Sequence, residues 1–95
     1  MCSRRKEVDF KNRDRFIQLG LTIAYFRKLN GMSQEELAER ANLSRSHISV
    51  IEAPGIVRPF SLEVLFNIAD ALEMEADELL AASKFPDKIK GNKND

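Results

Sequence analysis

The sequence predicts an all-α fold, a compact five-helix domain, and three observations carry that expectation. Apolar residues recur at spacings of three and four in successive segments. Serines stand directly ahead of three of those segments, at Ser33, Ser44 and Ser61, where a helix N-cap belongs. No segment shows the period-two alternation of a half-buried strand.

The chain has 95 residues, enough for one small domain burying about 60–65% of its unfolded surface. One core is feasible and a second functional domain is not. The division read from composition is a basic N-terminal arm or tail at 1–12, a folded domain at 13–82 and a polar C-terminal tail at 83–95. Residues 1–11 are basic with Val8 and Phe10 interspersed, and fit a tail, an arm or a further turn or two of helix.

From Arg13 to Leu29, Phe16, Leu19, Ile23 and Phe26 form a helical seam, and Asn30-Gly31 is a stop signal. Arg27 lies one residue off that seam and can reach inward. Ser33 and Glu36 match the S-x-x-E capping box of a second helix. That helix sets Leu37, Ala38 and Ala41 against Glu35, Glu39 and Arg40 on the opposite side. Asn42 tolerates left-handed dihedrals and can end it. Leu43 is apolar inside the turn, and Ser44 caps a third helix running from Arg45 to about Ala53. After it, Pro54-Gly55-Ile56-Val57-Arg58-Pro59-Phe60 reads as a loop, with Ile56 and Val57 expected against the core.

Ser61 caps a fourth helix whose expected buried stripe is Leu62, Leu65, Ile68, Ala69 and Leu72. Val64 and Phe66 lie at its margins as candidates for a dimer surface. A fifth helix, about Glu75 to Ala82, contributes Leu79 and Leu80. Residues 83–95 are polar with Pro86 and Gly91, and Phe85 is a candidate to dock on the last helix.

Formal net charge is zero, but it is unevenly spread. Residues 1–30 carry eight basic and three acidic side chains, whereas 60–82 carry six acidic and no basic ones. With a Debye length of about 8–10 Å, local charge rather than net charge governs contact with a polyanion. The acidic run reads as a solvated face, and so marks a side turned away from any such partner. The only cysteine is Cys2, so no intramolecular disulfide forms and a reducing compartment suits the chain. No apolar run approaches a signal peptide or a membrane span, and Arg4-Arg5 lacks the apolar stretch of an export signal. The expected location is cytoplasmic, with no membrane partner.

The third helix carries the chemistry. At about 100° per residue, Ile48 and Ile51 point to one side while Ser46, Ser49 and Val50 point to the other, with Arg45 and His47 at the margins. A solvated helix normally fills its outer side with Glu and Lys. Hydroxyls and Arg instead can hydrogen-bond base edges or phosphates, and a Val methyl can pack on a thymine methyl. The positive end of the helix dipole favours a nearby phosphate.

Ser33 to Glu52 resembles the helix-turn-helix of the phage repressor and Cro family, the Xre-like regulators. Their Q-x-x-L-A is matched by Gln34, Leu37 and Ala38, and their S-x-x-x-I-S-x-I-E by Ser44, Ile48, Ser49, Ile51 and Glu52. An Arg seven residues before the Gln is matched by Arg27. The likeness spans roughly residues 13 to 82, and LFNIADALEMEADELL is similar to the family's closing helical pair. It departs at Asn42, where Gly is usual, at Ala53-Pro54-Gly55, where a polar residue and Gly are usual, and at Val50, where a polar reader is common.

The resemblance implies a sequence-specific regulator of transcription, a repressor, bound to double-stranded DNA as a homodimer. It implies a buried ion pair between Arg27 and Glu52. Gln34 and the N-terminus of its helix would grip phosphate, and Arg58 matches a region that meets the DNA backbone in relatives. The DNA-binding set is then Gln34, Ser44, Arg45, Ser46, His47, Ser49, Val50 and Arg58, and the basic N-terminal arm could lie on the backbone as well. Phage repressors and restriction–modification controllers are variants within this class. An alternative from another class is the antitoxin of a toxin–antitoxin pair, with a toxin protein as partner and the tails, chiefly 83–95, as its binding segments.

Nothing in the sequence argues for an enzyme. His47 and Cys2 are far apart in the chain, and no G-x-S-x-G elbow, phosphate loop or cluster of metal ligands is present. No cofactor or metal is expected.

Overall fold

The computed structural model describes residues 8–84. They form α1 (Arg13–Leu29), α2 (Gln34–Ala41), α3 (Arg45–Glu52), α4 (Leu62–Ala71) and α5 (Ala76–Ala82), with a 3₁₀ turn over Phe10–Asn12 leading into α1. Among the described residues there is no strand. Most of both tails, residues 1–7 and 85–95, lies outside the described residues, and Phe85 with them.

The chain starts its helices by serine hydroxyls. Ser33, Ser44 and Ser61 accept the backbone N–H of Glu36, His47 and Val64 at 3.0, 3.1 and 3.2 Å, each cap being worth about 1 kcal/mol. The box at Ser33 is only half built, because the Glu36 carboxylate turns to Arg40 at 3.1 Å. The reciprocal box forms instead at the start of α5, between Glu75 and Glu78.

Three helices end alike. A residue in the left-handed region follows the last turn, and the next N–H returns to the helix carbonyl five positions back. Gly31 (φ 71°) does this after α1, with Met32 N–H on Arg27 at 3.0 Å. Asn42 (φ 60°) does it after α2, with Leu43 N–H on Ala38 at 2.8 Å. Glu73 (φ 60°) does it after α4, with Met74 N–H on Ala69 at 2.9 Å.

Each helix sends one large, fully buried side chain to the centre: Ile23, Leu37, Ile48, Ile68 and Leu79. Burying such a chain stabilises by about 1.5–3 kcal/mol. α2 packs on α3 and α4, α1 on α3 and α5, and α4 on α5. α3 is therefore held along one side by two helices. Gly20 makes that possible from α1, since a Cβ there would run into the Ile51 carbonyl oxygen. Phe16 meets Phe60 edge-to-face, centroids 5.5 Å apart, which ties the start of α1 to the loop after α3.

Three side chains depart from the expected core. Leu62 is 66% exposed, on the same side of α4 as Phe66 four residues on, so the buried stripe is Leu65, Ile68, Ala69, Ala71 and Leu72. Leu80 is 44% exposed, because it stands about 100° round the helix from buried Leu79. Ile56 is 47% exposed in its loop, while Val57 is half-buried. Val64, a candidate for a dimer surface, packs against the core.

Candidate nucleic-acid interface

The site is the outward side of α3 with its two neighbours, the start of α2 and the loop before α4. The serine caps and the left-handed Asn42 set α2 and α3 into a tight corner. Leu43, half-buried in the turn, packs against the core. Ile48 and Ile51 face inward and are buried. Arg45 and Ser46 are exposed, and His47, Ser49 and Val50 are half-buried.

Most of the polar capacity on that side is unspent. Ser46 Oγ meets Ser44 Oγ at 3.3 Å, a weak exchange between two hydroxyls. Among the described residues, Arg45 and Arg58 form no ion pair. An open groove of about 370 Å³ runs beside α3, between Ser44, Ser46, His47 and Val50 on one wall and Arg58 and Phe60 on the other. It brings together the third-helix candidates and the loop arginine, although they are separated in sequence. The guanidinium and hydroxyls can donate to phosphate or base edges, and the Val50 methyls can pack on a thymine methyl.

Behind the site lies a buried polar knot. Arg27 Nε donates to Glu52 Oε2 at 2.8 Å and Nη2 to Oε1 at 2.9 Å, a two-pronged ion pair. Arg27 Nη1 donates to the Met32 carbonyl at 2.7 Å. Both residues are 8% exposed, and among the described residues no buried side-chain polar atom lacks a partner. Gln34 belongs to this knot: its Nε2 donates to Glu52 Oε1 at 2.9 Å. Sequence reasoning connected Gln34 with phosphate and missed that contact, for which the spacing carries no signal.

A corner of two helices, capped at both starts, with the second one backed by the core and fronted by free donors, defines a DNA-binding helix-turn-helix domain. The chain belongs to the helix-turn-helix family, whose model matches residues 23–79. No curated protein matches the chain. Among solved structures it is similar to the restriction–modification controller protein C.AhdI from Aeromonas hydrophila, at 33% identity over 67% of this chain and 94% of that one, with a TM-score of 0.63. It is similar to the clp gene regulator ClgR from Corynebacterium glutamicum, at 26% identity over 73% of this chain and 71% of that one, TM-score 0.67. It is also similar to C.Esp1396I bound to a 25 base pair operator site, at 30% identity over 73% of this chain and 92% of that one, TM-score 0.63.

Proposed function

We propose that this chain is a sequence-specific regulator of transcription, acting as a repressor, that reads the major groove of double-stranded DNA with α3. Arg45, Ser46, Ser49 and Val50 meet base edges, and His47 meets an edge or a phosphate. Gln34, Ser44 and Arg58 hold the backbone, so that phosphate contacts set the register and a few side chains read sequence. The observation that carries this reading is the outward side of α3, where donors unspent within the protein stand on a helix whose other side is fixed in the core. The family match and the likeness to an operator-bound regulator support it.

The repressor acts as a homodimer, with exposed Leu62 and Phe66 on one side of α4 as its apolar contact. It blocks a promoter by occupying it, in the cytoplasm, with no cofactor and no catalytic step. The regulator reading stands ahead of the antitoxin because the similar structures are named as controllers and a gene regulator.

Selection of bound sites by the full chain from random duplex DNA tests this. Two inverted half-sites should emerge with centres about 10–10.5 bp apart. A pool that stays random through repeated rounds overturns the reading.

A further inference from the structure

The Arg27–Glu52 pair reads at first as support for the fold alone. Gln34 changes that. It is the first residue of α2, it is half-buried, and its carboxamide is the point at which the buried knot reaches the surface. Four segments meet there: α1 through Arg27, the turn after it through the Met32 carbonyl, the start of α2 through Gln34 and the end of α3 through Glu52.

A carboxamide nitrogen carries two hydrogens. One is committed to Glu52 Oε1 at 2.9 Å. Because the acceptor is a carboxylate, that bond is stronger than a neutral one, and it anchors the amide nitrogen at one point. Among the described residues the second hydrogen has no side-chain acceptor, and the trigonal nitrogen sets it about 120° from the first. A free glutamine would have to surrender rotamer freedom on gripping a ligand, whereas this one has surrendered it on folding.

We propose that Glu52, itself held by Arg27, is a positioning residue for DNA binding: it presets the Gln34 carboxamide as a donor to a backbone phosphate. This rests on the DNA reading above and deepens it. The backbone grip at α2 and the base-reading surface of α3 are then one rigid unit, locked through a carboxylate that never touches DNA.

A double-mutant cycle on the full chain tests the proposal, with Gln34→Ala, Glu52→Gln and the pair. The probe is the duplex recovered by site selection, beside an unrelated duplex, at a temperature where melting curves show every variant folded. Gln34→Ala should weaken both duplexes about tenfold per half-site, the scale of one hydrogen bond to a charged group. The salt slope should stay unchanged, since Gln34 carries no charge. One phosphate per half-site should drop out of the ethylation-interference pattern. Glu52→Gln should lose the same phosphate, and Gln34→Ala should cost less than twofold more in that background. Should Glu52→Gln not fold, Arg27→Lys, which keeps the charge and loses the fork, takes its place with the same expectation. An equal loss from Gln34→Ala in both backgrounds, or an interference pattern that Gln34→Ala leaves intact, overturns the proposal alone. A wild-type chain that binds neither duplex overturns the DNA reading, and this proposal with it.

Discussion

The two sides of α3 differ in how their polar atoms are used. On the inner side Ile48 and Ile51 are buried, and Glu52 spends both carboxylate oxygens on Arg27 and Gln34. On the outer side Arg45 and Ser46 are exposed, and the one side-chain contact among them is a hydroxyl pair at 3.3 Å. The same eight residues thus hold one face rigid and leave the other chemically open. A helix stabilised from behind does not need its front for folding, which frees the front for recognition. Substitutions on the two sides should accordingly separate into losses of stability and losses of affinity.

The largest effect expected is on the inner side. Arg27→Ala leaves the Glu52 carboxylate buried without its cation, and breaking a buried pair from one side costs about 3–5 kcal/mol. Chemical denaturation should show that loss, and a normal midpoint would mean that the inner side of α3 does not depend on the pair. Gly20→Ala comes next. Its methyl would run into the Ile51 carbonyl and push α1 off α3, at about 1–3 kcal/mol for a packed site. Thermal melting reads it, and an unchanged curve would mean that α3 is not braced from α1.

Arg45→Ala is the matching change on the outer side. It should weaken the selected duplex by about 1–3 kcal/mol if the guanidinium reads a base. Its melting curve should overlay the wild type. A stability loss without an affinity loss would mean that Arg45 serves the fold and not the groove. The smallest effect lies away from both sides. Glu73 holds a left-handed conformation (φ 60°) at the end of α4, a conformation that glycine adopts without the steric cost of a Cβ. Glu73→Gly should raise stability by about 0.5–1 kcal/mol in denaturant titrations and leave DNA affinity where it was.

The fold was legible because its punctuation is chemical. Ser33, Ser44 and Ser61 announce helix starts, Gly31 and Asn42 announce helix ends, and the three-and-four spacing supplies the inner side of each helix. Glu73 was not legible, since nothing in a glutamate marks a left-handed residue. Periodicity gives a direction but not the edge of the core, which is why Leu62, Leu80 and Ile56 were expected inside and stand outside. Gly20 carried a usable signal that went unread: a glycine beside Leu19 in mid-helix marks a close backbone approach.

For the site, the outward set on α3 came from helical angle and residue type together. The pairing of Arg27 with a residue twenty-five positions on came only from the resemblance, because spacing within a helix says nothing about partners in another. The Gln34 contact with Glu52 came from neither, being a matter of one rotamer at a helix start. The groove that sets Arg58 beside Ser46 and His47 depends on the path of an irregular loop, which local sequence rules do not specify.

The most direct measurement is to repeat site selection with a chain carrying Ser46→Ala, Ser49→Ala and Val50→Ala together, beside the wild type. The triple variant should melt like the wild type and still bind duplex DNA, but lose or change its base preference at the positions α3 reads. The same enriched sequence from both chains would contradict this, because the bases would then be read by some other part of the molecule.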